Sequence, residues 1–405
     1  MSMPPVNVFR RMARGGVEVL VAVAAVVPLI AAAVIARCTS RRGVGLGPEP
    51  LINNVHHARA LRQQGYEART YVSHEYYITQ QFDVRRLSGR PFNHYALFLE
   101  AIFSFEALYI YFNGGPLSWT GLRFLEPWLY RLAGVKVVVM PYGGDVQDFN
   151  VHDDVVYRAA YLADYPDFVR RQMKSRKSNV CRWIRHADWV IAGCDWVYYL
   201  PHWNTLMLAH FSIDTEEWRP ATGLAMPRGF DVEKPLRVLH APNHRAIKGT
   251  TLVERVVADL RAEGRPIELV IAQKLPNDEL RRLIQEVDVV VDQLVIGWYG
   301  MFALEAMASG KPVVMYIAPE LERLYVMQGL LEPGELPVIK VDHTCLAQVL
   351  CDLASGSSDL AELGKQGRQF VLRHHSLASV GRTFAAINSA LGLRGPSVPR
   401  DGVLR

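Results

Sequence analysis

Short, mainly apolar runs, many of them bounded by Gly, Pro or Asn, recur along most of the chain. In the first half they are Ala68–Val72, Ala107–Phe112, Val135–Met140, Trp189–Gly193 and Leu206–Phe211. In the second half they are Arg237–Pro242, Glu268–Ala272, Asp288–Leu294, Lys311–Tyr316 and Pro337–Val341. Runs of this length without a polar face predict strands buried on both sides of a parallel sheet. Between them lie helical stretches, around Thr251–Glu263, Asp278–Glu286 and Met301–Ser309, with a last helix near Ser376–Leu391. The segment Gly43–Asn54 reads as a Gly- and Pro-containing turn leading into a helix that carries His56, Ala60 and Leu61. Strand and helix alternate twice, so the pattern predicts an α/β chain of two doubly wound, Rossmann-like domains facing a cleft at the C-terminal ends of their strands. The boundaries expected are residues 41–216 for the first domain, 217–235 for a connector rich in Pro and Gly, and 236–375 for the second domain. The final helix then takes 376–392 and a tail 393–405.

Residues 1–40 stand apart. Val19 to Ala36 is an unbroken run of eighteen residues with no polar side chain, interrupted only by Pro28. As a helix it would reach about 27 Å, just short of the roughly 30 Å hydrocarbon layer. Arg10, Arg11 and Arg14 precede it and Arg37, Arg41 and Arg42 follow, so flanking charge does not orient it. A single transmembrane anchor is the leading reading. A cleaved signal peptide, with Val34 and Ala36 as small residues near the cleavage point, and a peripheral or buried helix are the alternatives.

Composition narrows the function. At 405 residues, 50% hydrophobic and 21% charged, the chain is globular and long enough for two cores. A net charge of +5 is too small to mark a dedicated nucleic-acid binder. The five cysteines, Cys38, Cys181, Cys194, Cys345 and Cys351, are scattered in neither a zinc nor a disulfide pattern. Seven basic residues and no acid fall between Arg170 and Arg185: Arg170, Arg171, Lys174, Arg176, Lys177, Arg182 and Arg185. They read equally as a contact for an anionic membrane surface or as a solvated helix face. His56, His57, His152 and His186 suggest packing or surface roles.

The most informative stretch is Asp292 to Val314. A buried strand ends at Leu294, a loop follows, and a helix starts near Gly300. Such a helix N-terminus offers unpaired backbone N–H groups and partial positive charge to a phosphate, and Gly300 permits close approach. Glu305, one turn inside, can accept hydrogen bonds from ribose hydroxyls, or it can cap and pair at a surface.

This stretch resembles the donor-binding signature of family 4 retaining glycosyltransferases, which have the GT-B fold. The matching residues are Tyr299-Gly300, Glu305, Ala306-Met307-Ala308, Gly310 and Pro312-Val313. The family's first Glu, which touches the donor sugar, is replaced by Gly297, eight residues before Glu305. Asp292 is a candidate replacement for that carboxylate, or a strand-end residue bonding the loop backbone. A second stretch, His240–Thr250, resembles the loop in which an Arg and a Lys neutralise the donor pyrophosphate. Lys248-Gly249 is the direct match, and Arg245 is the candidate Arg. Met140–Phe149 resembles the family's turn against the donor sugar, with Tyr142 at its His position, then Gly143, Gly144 and Asp145. Tyr142 and Asp145 are the catalytic-side candidates, and Gly143 and Gly144 are possible sugar contacts. Asp145 either bonds sugar hydroxyls or closes the turn. Phe112–Leu117 and the loop Gly47-Pro48-Glu49-Pro50 are further cleft-facing segments on the acceptor side.

The resemblance implies a hexosyltransferase that moves sugar from a UDP- or GDP-sugar to a lipid-linked or cell-envelope glycan acceptor, with retention. The donor would be held by Arg245, Lys248, Gly300, Met301, Phe302 and Glu305. No Asp-x-Asp triplet occurs, so no metal and no cofactor beyond the nucleotide-sugar co-substrate is expected. The membrane would be engaged through residues 19–36, and nucleic acid is not expected as a partner. The domain would face the cytoplasm, where sugar nucleotides are made. A nucleotide-sugar epimerase and a non-catalytic scaffold of the same fold are the alternatives.

Overall fold

In a computed structural model, residues 5–75, 79–87, 92–148, 151, 154–221, 234–356, 358–393 and 395 are described, without the side chains of 5–17 and 167–175. Most of the expected connector, His152, the tail beyond 395 and the side chains of Arg170, Arg171 and Lys174 lie outside the described residues.

The first sheet is built from β1 (Val44–Leu46), β2 (Ala68–Val72), β3 (Val84–Arg85), β4 (Ala107–Tyr111), β5 (Lys136–Met140), β6 (Trp189–Ala192) and β7 (Thr205–Leu206). Its strands are parallel, in the order β3-β2-β1-β4-β5-β6-β7. The second sheet is built from β8 (Leu236–His240), β9 (Ile267–Ile271), β10 (Val289–Val291), β11 (Val313–Met315) and β12 (Ile339–Lys340), parallel in the order β12-β11-β10-β8-β9. In both sheets the order reverses beside the first strand, opening a crevice at the C-terminal strand ends where ligands bind in such folds. Burial explains the apolar runs: every residue of β4, β10 and β11 is buried.

Three elements differ from the sequence reading. β1 lies inside the segment read as a turn, and β3 is too short and polar to stand out. The run Leu206–Phe211 contributes only its first residue to a strand, and in its remainder the Leu208 carbonyl accepts from Trp298 Nε1. The glycines around β1 serve close packing. A Cβ on Gly45 would sit 2.5 Å from Phe105 Cδ2, and one on Gly47 2.0 Å from the Tyr71 carbonyl oxygen.

The last helix, Leu377–Ala390, crosses back to the first domain. Tyr109 OH donates to Asn388 Oδ1 at 2.8 Å, and Val380, Phe384 and Ile387 join the core beneath β1, β4 and β5. The N-terminal helix, Pro5–Arg37, contains a stretch, Glu18–Arg37, long and apolar enough to cross a membrane. It lies against the first domain, with Ala22, Leu29, Ala33 and Ala36 buried. In the basic segment, Arg176 and Trp183 do not share a solvated face. Both are buried, and Arg176 donates to the Gln147 carbonyl at 2.7 Å. A helix with one basic residue turned inward and bonded is a structural element as well as a charged surface.

Candidate active site

The two signature segments meet at the C-terminal ends of β8 and β10. The loop after β8 folds back on itself: Lys248 N–H donates to the His244 carbonyl at 3.0 Å and Thr250 N–H to that of Arg245 at 2.9 Å. Gly249 then takes φ +72°, and its Cα lies so close to Leu294 that a Cβ would be 3.0 Å from Leu294 Cβ. Only glycine suits both demands. His240 ties the loop to the sheet, with Nδ1 2.8 Å from the Val291 carbonyl and Nε2 3.0 Å from Thr250 Oγ1.

Within this frame the Lys248 ammonium is buried in a direct ion pair with Asp292 Oδ1, at the end of β10. Asp292 is thus buried and engaged by the lysine side chain of the loop. Its second oxygen, Oδ2, is buried without a partner among the described residues. Glu305 is buried in the helix Met301–Ala308. Burial, reinforced by the nearby charge of Asp292, pushes its carboxyl up to about 8. The helix opens at Gly300, where a Cβ would meet nothing within 4 Å and no side chain caps the first amides, those of Met301 and Phe302. Arg245 lies outside this buried centre and is ion-paired with Glu254 at 2.7 Å. It lines a cavity of about 360 Å³ formed with Pro242, Asn243, Gln273, Lys274 and Asn277 at the ends of β8 and β9. A cation, an uncapped helix terminus, a buried carboxyl and an adjoining cavity of mixed polar and apolar lining can together hold a phosphorylated, hydroxyl-bearing ligand.

On the first domain, Asp145 has the turn-closing role. Its Oδ1 accepts from Tyr142 N–H (2.9 Å) and Gly143 N–H (3.1 Å), and its Oδ2 from Phe112 N–H (3.0 Å). Burial raises its carboxyl to about 7 against the pull of these amides. Gly143, at φ +110°, lies under Trp196, whose Nε1 would be 3.2 Å from a Cβ there. Tyr142 OH accepts from Asn113 Nδ2 at 2.7 Å, and both residues hydrogen-bond to Glu49, whose carboxyl burial raises. Glu49, Asn113 and Tyr142 follow β1, β4 and β5, so three adjacent strand ends deliver one polar cluster. Its segments are legible in the sequence, but the pairing of strands that joins them is not.

Sequence reasoning missed four residues. Glu126 is buried and accepts from the amides of Gly115 (3.1 Å) and Leu117 (2.8 Å), holding the loop that carries Asn113. Asp164 accepts from Ile247 N–H at 2.8 Å and Ala246 N–H at 3.3 Å, and Tyr165 OH lies 2.5 Å from His244 Nε2. These two reach from the first domain onto the Lys248 loop. Asp195 is buried beside Tyr157, Tyr198 and Gly297 in a small cavity of about 60 Å³ between the domains. None of the four stands in a recognisable motif. At Gly297 a Cβ would lie 2.4 Å from Ala318 Cβ, so the backbone here leaves no space for the acid of the resembled signature.

No protein-family model and no curated protein matches the chain. Solved structures do. A sucrose-phosphate synthase from Thermosynechococcus elongatus superposes with a TM-score of 0.58 at 14% identity, over 87% of this chain and 99% of that one. Anabaena Alr3699/HepE, in complex with UDP-glucose, gives 0.54 at 12% identity over 86% and 99%. An α-glucosyltransferase in complex with UDP and DNA gives 0.52 at 12% over 86% and 99%. The chain has the GT-B fold of these glycosyltransferases.

Proposed function

We propose that the protein is a glycosyltransferase that takes a hexosyl group from a UDP- or GDP-sugar and passes it to a lipid-linked or cell-envelope glycan acceptor. The observation that carries this reading is the buried Lys248–Asp292 pair, set beside Glu305 and the uncapped helix start at Met301 in a GT-B fold. The departing diphosphate develops negative charge. Lys248, Arg245 and the amides of Met301 and Phe302 stabilise it more in the transition state than in the ground state. They do so without a resident metal. Glu305 accepts the ribose hydroxyls. Tyr142, Asn113 and Glu49 face the sugar and acceptor, and Asp145 positions the Tyr142 and Gly143 amides from beneath. Retention follows from the resemblance to family 4, with the diphosphate oxygen helping to deprotonate the acceptor. The UDP carried by two structures of this fold supports a nucleoside diphosphate as the donor's handle. The domain would face the cytoplasm, where such donors are made.

The test is thermal unfolding of the full chain in detergent, since removing the N-terminal helix would uncover Ala22, Leu29, Ala33 and Ala36. UDP, GDP and their glucose or mannose conjugates are the probes. At a hundred times its dissociation constant a ligand stabilises by about 2.7 kcal/mol. A rise in midpoint with one nucleotide, lost in both Glu305→Ala and Lys248→Ala, is expected. No rise with any of them, from folded protein, would transfer the case to the non-catalytic scaffold. Consumption of donor without acceptor would favour the epimerase.

A further inference from the structure

The N-terminal helix cannot both cross a bilayer and keep its packing. Ala22, Leu29, Ala33 and Ala36 form one buried stripe against the first domain. They span fifteen residues, a rise of about 21 Å along the helix. The stripe is fixed at both ends. Ala22 Cβ would be 3.1 Å from a Cβ on Gly121, and Arg41 donates to the carbonyls of Ile102 and Ala133 at 2.7 Å each. Arg37 reaches the Leu132 carbonyl at 3.4 Å. If residues 19–36 crossed the roughly 30 Å hydrocarbon layer in this arrangement, the loop with Ser118, Thr120 and Arg123 would be drawn into it.

The opposite stripe has no cover among the described residues. Val19, Leu20, Val23 and Val27 are exposed, and beside the helix so are Trp119, Phe124 and Trp128. Exposed aromatics edging an apolar stripe suit the boundary between hydrocarbon and headgroups. Glu18 lies by Trp119 at one end, and around Phe124 the charge is basic. The guanidinium groups of Arg123 and Arg182 both lie over the Phe124 ring, at 4.8 and 4.5 Å from its centroid. Neither is ion-paired with a carboxylate among the described residues, and Lys177 and Arg185 are exposed on the same helix as Arg182. Two like charges gathered on one exposed ring call for an anion, and lipid phosphate is the anion found beside an apolar surface.

We propose that the protein is monotopic: the packed helix lies along one leaflet of an anionic bilayer, Trp119, Phe124 and Trp128 insert beside it, and Arg123 and Arg182 hold lipid phosphates. This replaces the single crossing expected from the sequence and is independent of the reaction catalysed.

Two measurements test it on the full chain. The first is labelling of an Arg11→Cys variant in sealed membrane vesicles with a membrane-impermeant maleimide, read by mass spectrometry. Cys181, exposed on the domain, reports which side the domain occupies, and Cys38 marks the end of the helix. An in-plane helix exposes residues 11, 38 and 181 on one side. Labelling of Cys38 and Cys181 with protection of residue 11 is a crossing and overturns the proposal. The second is flotation with phosphatidylcholine vesicles, with and without 30% phosphatidylglycerol. The double variant Arg123→Gln/Arg182→Gln should lower the partition coefficient about thirtyfold on anionic vesicles and little on neutral ones. Unchanged binding, or a dimer in detergent that Trp128→Ser splits without affecting flotation, assigns the face to a second copy instead.

Discussion

Buried carboxyls perform two kinds of work here, and their partners tell them apart. Asp145 and Glu126 accept backbone amides and hold loops, whereas Glu305 has burial and Asp292 against it. Their titration predicts a pH dependence. Glu305 is pushed up to about 8, and Glu126, Asp145 and Asp195 to about 7. A carboxyl whose folded value lies above its unfolded one stabilises fully at low pH and loses that contribution as pH rises through the folded value. The buried His56 and His375, lowered to about 4 and 3, stay neutral when folded but are half charged at pH 6.5 when unfolded; each adds a rise of only about 0.4 kcal/mol above that pH, smaller than the carboxyl loss it opposes. Stability of the ligand-free protein should therefore fall between pH 6.5 and 8.5. Glu305→Gln should remove roughly 2 kcal/mol of that fall, measured by denaturant unfolding at the two pH values. An identical fall in the variant would show that Glu305 is not held neutral.

Among the elements, those with strong apolar runs were legible, and the exceptions share a cause. β4, β5 and β8 are readable because each has an apolar centre bounded by breakers, with the charged residues Lys136 and Arg237 near the strand starts. β1 was not, since Gly43, Gly45 and Gly47 look like a turn until Phe105 and Tyr71 are packed against them. A glycine selected for close approach and one selected for φ are the same letter. The same limit applies to the site: Lys248, Gly300 and Glu305 stand in local motifs, while Glu49, Asp164 and Asp195 acquire roles only through strand order and domain contact. The packing account makes a definite claim. Gly45→Ala puts a Cβ 2.5 Å from a buried phenyl ring. It should destabilise by about 1–3 kcal/mol, whereas a turn glycine with open space would tolerate the change. Equal midpoints in a denaturant titration would refute the packing role.

At the scale of the whole molecule, the two domains are joined directly over the Lys248 loop. Trp298 Nε1 donates to the Leu208 carbonyl and Tyr325 OH to that of Cys194, each at 2.8 Å, giving the domains a buried common wall. Asp164 is different, because it grips the loop by the amides of Ala246 and Ile247. Any movement that opens the cleft to admit a donor must break those two bonds, so the loop's amides report on opening. A hydrogen bond to a charged group contributes about 1.5–3 kcal/mol, which is tenfold or more in an opening equilibrium. Asp164→Ala should thus speed hydrogen exchange at Ala246 and Ile247 at least tenfold, while Val238 and Leu239 in β8 keep their protection. Exchange that quickens equally in β8 would mean the variant unfolds the second domain. Unaltered exchange at both amides would mean that the domains stay closed without Asp164, and that the buried wall alone sets the cleft.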